Sequence, residues 1–277
     1  MPVMLQALNV IRNLCIMRKL FTLIILAFSI SVNAQDSEKE IVDTYMKRFY
    51  QKLDTVQWLC TYDDIAWVTS DSVYATPKEE QQKLGSQWFC FQQDNIWHAA
   101  YGKYEKNSFT LVYHYCVDTN NVIKRVNSEI DSSLTNSFSR ALIKSNDQLN
   151  LRKDSVRIQF NQYIKKNNDS TISVWLLPAF TTKGFAVYGG EFYYLYDKTG
   201  NNLLKKSEFA QEYRGFKPDP KKEIWLEYET VDEPTLGSIF FVWYYRKYFD
   251  RIVADAKKFK STVFHDEKGY YWVHAVK

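Results

Sequence analysis

The sequence predicts an α+β protein with antiparallel β-sheets, built as meanders and hairpins, and a few packed helices. Segments with a period of two come in runs joined by short polar turns, which is the pattern of meanders and hairpins. A few stretches instead space their apolar residues three and four apart, and they fall between groups of strands. No regular alternation of strand and helix appears, which argues against a doubly wound parallel sheet. The chain has 277 residues with 8 Trp, 20 Tyr and 18 Phe against only 9 Gly, so collagen, coiled-coil and disordered classes are excluded.

The first 34 residues read as a secretory signal peptide. Arg18 and Lys19 give a positive start, Leu20 to Ile30 is an apolar run, and Val32-Asn33-Ala34 offers small residues before a cut after Ala34. Met17-Arg18-Lys19 is the natural opening of such a leader, which makes the preceding 16 residues read as a gene-start artefact. The apolar run is shorter than the roughly 20 residues that span a bilayer, so cleavage leaves no stable membrane insertion.

Residues 36–53 read as a helix, with Ile41, Tyr45, Phe49 and Leu53 at steps of four and Asp36-Ser37 as its cap. Short extended runs are expected at Val56 to Tyr62, Ile65 to Val68 and Ser72 to Tyr74. A polar segment follows from Pro77 to Gly85. The stretch 87–117 reads as a three-stranded meander turning at Asp94-Asn95 and Lys106-Asn107. Asp131 to Asn146 is expected to be helical, with Leu134, Phe138, Ala141 and Leu142 on one face.

Strands return at Ser155 to Lys165 and Thr171 to Leu177, then at Glu191 to Tyr196 and Asn202 to Lys206 around a turn containing Gly200. Glu223 to Glu229 alternates, with Ile224, Leu226 and Tyr228 on one face, as in a half-buried antiparallel strand. Ser238 to Tyr245 is apolar on both faces and reads as a central strand. Lys247 to Lys258 reads as a helix, and Thr262 to His265 with Tyr270 to Val276 as a closing hairpin. A division into 35–150 and 151–277 is the best candidate, because Asn146 to Lys153 is polar; one continuous domain is the alternative.

The leader carries Arg12, Arg18 and Lys19 and no acidic residue, so its removal lowers the net charge from +4 to +1. A nucleic-acid partner is therefore not expected. Cys60, Cys90 and Cys116 remain, in apolar contexts. An exported chain permits one disulfide among them, with all three pairings open, and buried free thiols are the plainer reading. No phosphate-binding loop, zinc-protease helix, nucleophile elbow or Cys-x-x-Cys occurs, and no cofactor is expected.

Three groups of residues carry candidate chemistry. His114 and Cys116 share a strand face, and with His98 on the neighbouring strand they form a candidate Cys/His nucleophilic pair or metal site. His265 and His274, on opposite arms of the last hairpin, are candidate metal ligands if the turn falls at Lys268-Gly269. Tyr188, Phe192, Tyr193, Tyr194 and Tyr196 crowd one hairpin and form a candidate ligand-binding face, since an exposed ring stacks on a sugar or packs on a protein.

The Asp197 to Asn201 turn and the acidic stretch Glu223 to Glu233 are explained by turn chemistry and by a solvated face. The sequence thus leads to an exported, non-catalytic binding or interaction module of the cell envelope, periplasmic or extracellular, with a glycan or an envelope protein as partner. A hydrolase centred on His98, His114 and Cys116 is the alternative.

Overall fold

The computed structural model describes residues 39–152 and 158–277. The leader, the Asp36-Ser37 cap and the beginning of the strand expected from Ser155 lie outside the described residues. Backbone contacts divide the chain into Met1–Gln51 and Lys52–Lys277, so the boundary expected near 147–155 falls inside the second unit. In the first, residues 39–51 are helical, and the rings of Tyr45 and Phe49 lie 5.9 Å apart at a spacing of one turn.

The helix, α1, covers 39–74 and replaces the extended runs expected beyond Val56. Within the second unit its buried residues are Leu53, Val56, Leu59, Tyr62, Asp63, Ile65, Ala66, Thr69 and Val73, which recur every three or four positions. That is the stripe of an amphipathic helix. Val, Ile, Tyr, Trp and Thr in the same stretch all have high strand propensity, and tertiary burial outweighs that preference here. A single turn, α2 (Lys78–Gln81), follows Pro77.

The first sheet is a meander of β1 (Gln87–Gln93), β2 (Ile96–Glu105), β3 (Ser108–Val117) and β4 (Ile123–Arg125), in that order. The expected two-residue turns are present, with φ of +51° and +62° at Asp94-Asn95 and +51° and +65° at Lys106-Asn107. Two successive positive φ values favour Asn and Asp and match the twist of the strands they join. The expected second helix is α3 (Ser132–Asn150), capped by Asp131, whose carboxylate accepts from the Ser133 N–H at 2.8 Å.

The second sheet is another meander, β5 (Phe160–Lys166), β6 (Ile172–Pro178), β7 (Ala186–Tyr196) and β8 (Leu203–Phe216). Both sheets are covered on one face by α1 and on the other by α3. From α1, Trp58 meets Trp97 of the first sheet at 5.6 Å and Trp175 of the second at 6.0 Å. From α3, Phe138 packs edge-on against Phe89 at 5.4 Å, and the Ser145 hydroxyl donates to that of Tyr196.

The third sheet, ordered β12-β11-β10-β9, contains the main departure from expectation. The segment expected as a central strand is helix α4 (Leu236–Tyr245), and the segment expected as a helix is strand β10 (Phe249–Asp255). Strand β9 (Asp219–Glu227) pairs with β10 in parallel, so one strand–helix–strand unit does occur, and the Glu223 strand is not antiparallel. Helix α4 lies against β7 and β10 and is buried on nearly every side, from Gly237 to Val242. A helix buried all round shows no amphipathic stripe and reads like a central strand. Strands β11 (Phe259–Asp266) and β12 (Gly269–Val276) form the expected closing hairpin.

Candidate functional site

The β2–β3 register sets Cys116 directly opposite His98, with His114 two residues earlier on the same face. The structure therefore brings the three together. His98 Nδ1 lies 2.9 Å from His114 Nε2 and 3.4 Å from Cys116 Sγ, and Cys116 Sγ lies 3.9 Å from His114 Nε2. His114 Nδ1 is 3.0 Å from the Ser128 carbonyl oxygen, which can only accept, so this nitrogen carries the proton and Nε2 presents a lone pair. Phe91 stacks on the His98 ring at 4.9 Å and 9° and fixes its plane.

Burial pushes both imidazole pKa values down and the Cys116 thiol up. A nucleophilic cysteine needs the opposite shift, toward a thiolate at neutral pH. No carboxylate of the described residues joins the cluster to orient an imidazole, and the cavities of 690, 640, 360 and 300 Å³ are lined by other residues. The geometry does not favour a cysteine hydrolase.

The second expected pair does not form. The last turn falls at Glu267-Lys268, so His265 pairs with Tyr270 while His274 pairs with Ser261. Four residues of strand separate the two rungs, roughly 13 Å. His274 instead bonds the Ser261 hydroxyl at 2.8 Å. Burial holds its pKa down at about 4.

The aromatic hairpin is also corrected. Tyr188, Phe192, Tyr194 and Tyr196 are buried, on strand positions that face the interior, so they form no exposed binding face. Tyr193 alone is half-buried. It packs against Trp175 at 5.4 Å along a cleft of about 690 Å³ that also holds Glu191, Glu208, Asp232 and Glu233. Each of these carboxylates already has a structural partner. Glu191 accepts from the Gly237 N–H at the start of α4, Glu208 pairs with Arg152, Asp232 with Lys258 and Glu233 with Lys52. The three cysteines of the described residues are free thiols.

A site that the sequence did not single out lies where α1 crosses from the first sheet to the second. Asp63 is only 5% exposed, yet it lines a pocket of about 360 Å³. Trp67, Tyr74, Trp88 and Tyr101 form the walls. Trp88 and Tyr101 stack at 6.4 Å and 22°, and the Tyr101 hydroxyl is held by Thr69 and the Ala66 carbonyl. Trp67 and Tyr74, on the same helix, are 59% and 75% exposed, which is unusual for rings of this size.

The Asp63 carboxylate accepts from the Tyr163 hydroxyl at 3.0 Å, the Asn161 amide at 3.2 Å and the Tyr244 hydroxyl. Burial raises its pKa above the ordinary aspartate value, while the Tyr244 and Tyr163 hydroxyls, with a smaller pull from Trp67, hold it down. An amide can only donate and hydroxyls donate readily, so this set of partners suits the ionised carboxylate. Among the described residues no Lys or Arg pairs with it.

The extended runs expected over Val56 to Tyr62 and Ile65 to Val68 hide Asp63, because only a helix sets Asp63 and Trp67 one turn apart and Tyr74 about two turns further on the same side. Among the described residues no helix is long and apolar enough to cross a membrane. Comparison of the chain with family models, with curated proteins and with solved structures gave no match.

Proposed function

We propose that this protein is a non-catalytic binding module of the cell envelope, exported by its leader, and that it captures a small organic cation in the Asp63 pocket. The observation that supports this reading is a buried carboxylate with only neutral partners at the base of a pocket walled by two tryptophans and two tyrosines. A buried charge surrounded by neutral donors is costly, and a ligand cation compensates it. Ring faces carry negative electrostatic potential and attract the same cation, most strongly where water is excluded. The pocket volume suits a small ligand.

The natural probes are quaternary ammonium compounds, choline and trimethyllysine, tested by isothermal titration calorimetry beside the neutral carbon isostere of choline and neutral monosaccharides. The cations bind and the isostere does not. Trp67→Ala weakens binding by about 1–2 kcal/mol, roughly 5–30-fold, as expected for a partly desolvated cation–π contact. Saturable binding of a sugar with no binding of the cations would overturn the choice of ligand.

A further inference from the structure

On the opposite face of the first sheet, away from the Asp63 pocket, we propose that His98, His114 and Cys116 form a binding site for a zinc ion with an open fourth position. The ligand atoms already mark out one face of a coordination tetrahedron. With Zn–N near 2.05 Å and Zn–S near 2.3 Å, a tetrahedral N₂S set has edges of about 3.3 Å between nitrogens and about 3.5 Å from nitrogen to sulfur. The observed edges are 2.9, 3.4 and 3.9 Å, so closing on an ion moves no edge by more than about 0.4 Å.

The surroundings support coordination as well as the distances. The Ser128 carbonyl takes the proton of His114 Nδ1 and leaves Nε2 aimed into the cluster, the arrangement by which a metal-bound histidine is held by its outer-shell partner. Stacking on Phe91 fixes the plane of His98. His98 and Cys116 are half-buried rather than sealed, so an ion reaches them from solvent.

Two imidazoles and a thiol form a soft donor set without oxygen, which selects against magnesium and calcium and for zinc or its neighbours. On binding, the Cys116 thiol proton leaves to solvent, and the His98 proton sits on Nε2, so that Nδ1, Nε2 and Sγ each present a lone pair. No further His, Cys, Asp or Glu of the described residues joins the group, which leaves the fourth position to water. That is the open type of zinc site rather than the closed structural type.

The test is equilibrium dialysis of the mature protein against zinc sulfate, with cobalt(II) chloride as a spectroscopic substitute. The proposal expects one zinc per chain and a cobalt complex with a thiolate-to-metal charge-transfer band and tetrahedral d–d bands. Cys116→Ser removes the charge-transfer band. His98→Gln weakens binding by more than the 10–100-fold typical of losing an outer-shell partner. His265→Ala, an exposed histidine elsewhere, changes neither. Circular dichroism of the metal-free variants confirms that each is folded. Sub-stoichiometric zinc, or a cobalt spectrum without the thiolate band, would overturn the site, and so would binding unchanged in folded Cys116→Ser and His98→Gln.

Discussion

Asp63 sits one turn before Trp67 on α1 and takes its hydrogen bonds from β5 and α4, so three distant segments meet on a single carboxylate. Its raised pKa fixes the sign of a pH effect. Native Asp63 keeps its proton to higher pH than the unfolded chain does, so the folded state binds more protons just above the usual aspartate range. Stability from this group therefore falls as pH rises through that interval. Asp63→Asn removes the titration. Melting temperatures measured from acid to neutral pH should shift in favour of the variant as pH increases; a constant difference between the two proteins would show that Asp63 does not titrate abnormally. Tyr244→Phe removes one donor and should strengthen the trend, because less then opposes the effect of burial.

At this scale the sequence was readable where chemistry follows strand parity. His114 and Cys116 two apart, with His98 across the turn, are enough to predict a shared face. It was unreadable where the partners lie about 100 residues and more apart, as Tyr163 and Tyr244 do from Asp63.

At the scale of elements, legibility followed amphipathicity. The meander of β1 to β3, its two turns and α3 came out where they were expected, because each has one covered face and standard turn or cap residues. Helix α1 did so only as far as Leu53, and α4 did not. One is rich in residues that favour strands, and the other has no exposed stripe to betray its period.

Two substitutions test the element assignments. Phe138 is fully buried on α3 against Phe89, so Phe138→Ala should cost about 3–5 kcal/mol in chemical denaturation. Gly200 closes the β7–β8 turn with φ +71°, and a Cβ there would lie 2.1 Å from the Ser137 carbonyl oxygen. An unstrained Gly→Ala change stabilises by up to about 1 kcal/mol, whereas Gly200→Ala should destabilise by more than that amount, and a neutral effect would mean that the turn is not docked on α3.

Across the whole molecule, the aromatic excess divides unequally. Most of it joins sheets to helices: Trp58, Tyr62, Trp97, Tyr163 and Trp175 form one connected set of rings between α1 and both meanders. Tyr188 and Phe241 meet at 5.7 Å in the core beneath the third sheet. Composition alone could not separate this structural share from the few rings left at the surface, because the separation depends on which helix covers which face. Trp67 and Tyr74 are the most exposed rings among the described residues, at 59% and 75%. Their position over a buried carboxylate is the basis of the functional reading.

The most direct test pairs a change in the ligand with a change in the site. Calorimetric affinities for choline and for its neutral isostere are measured on the wild type and on Asp63→Asn. The account predicts that wild type prefers the cation and that the preference collapses in the variant, while Tyr193→Ala, in the other cleft, leaves it intact. Equal preference in wild type and Asp63→Asn would contradict it.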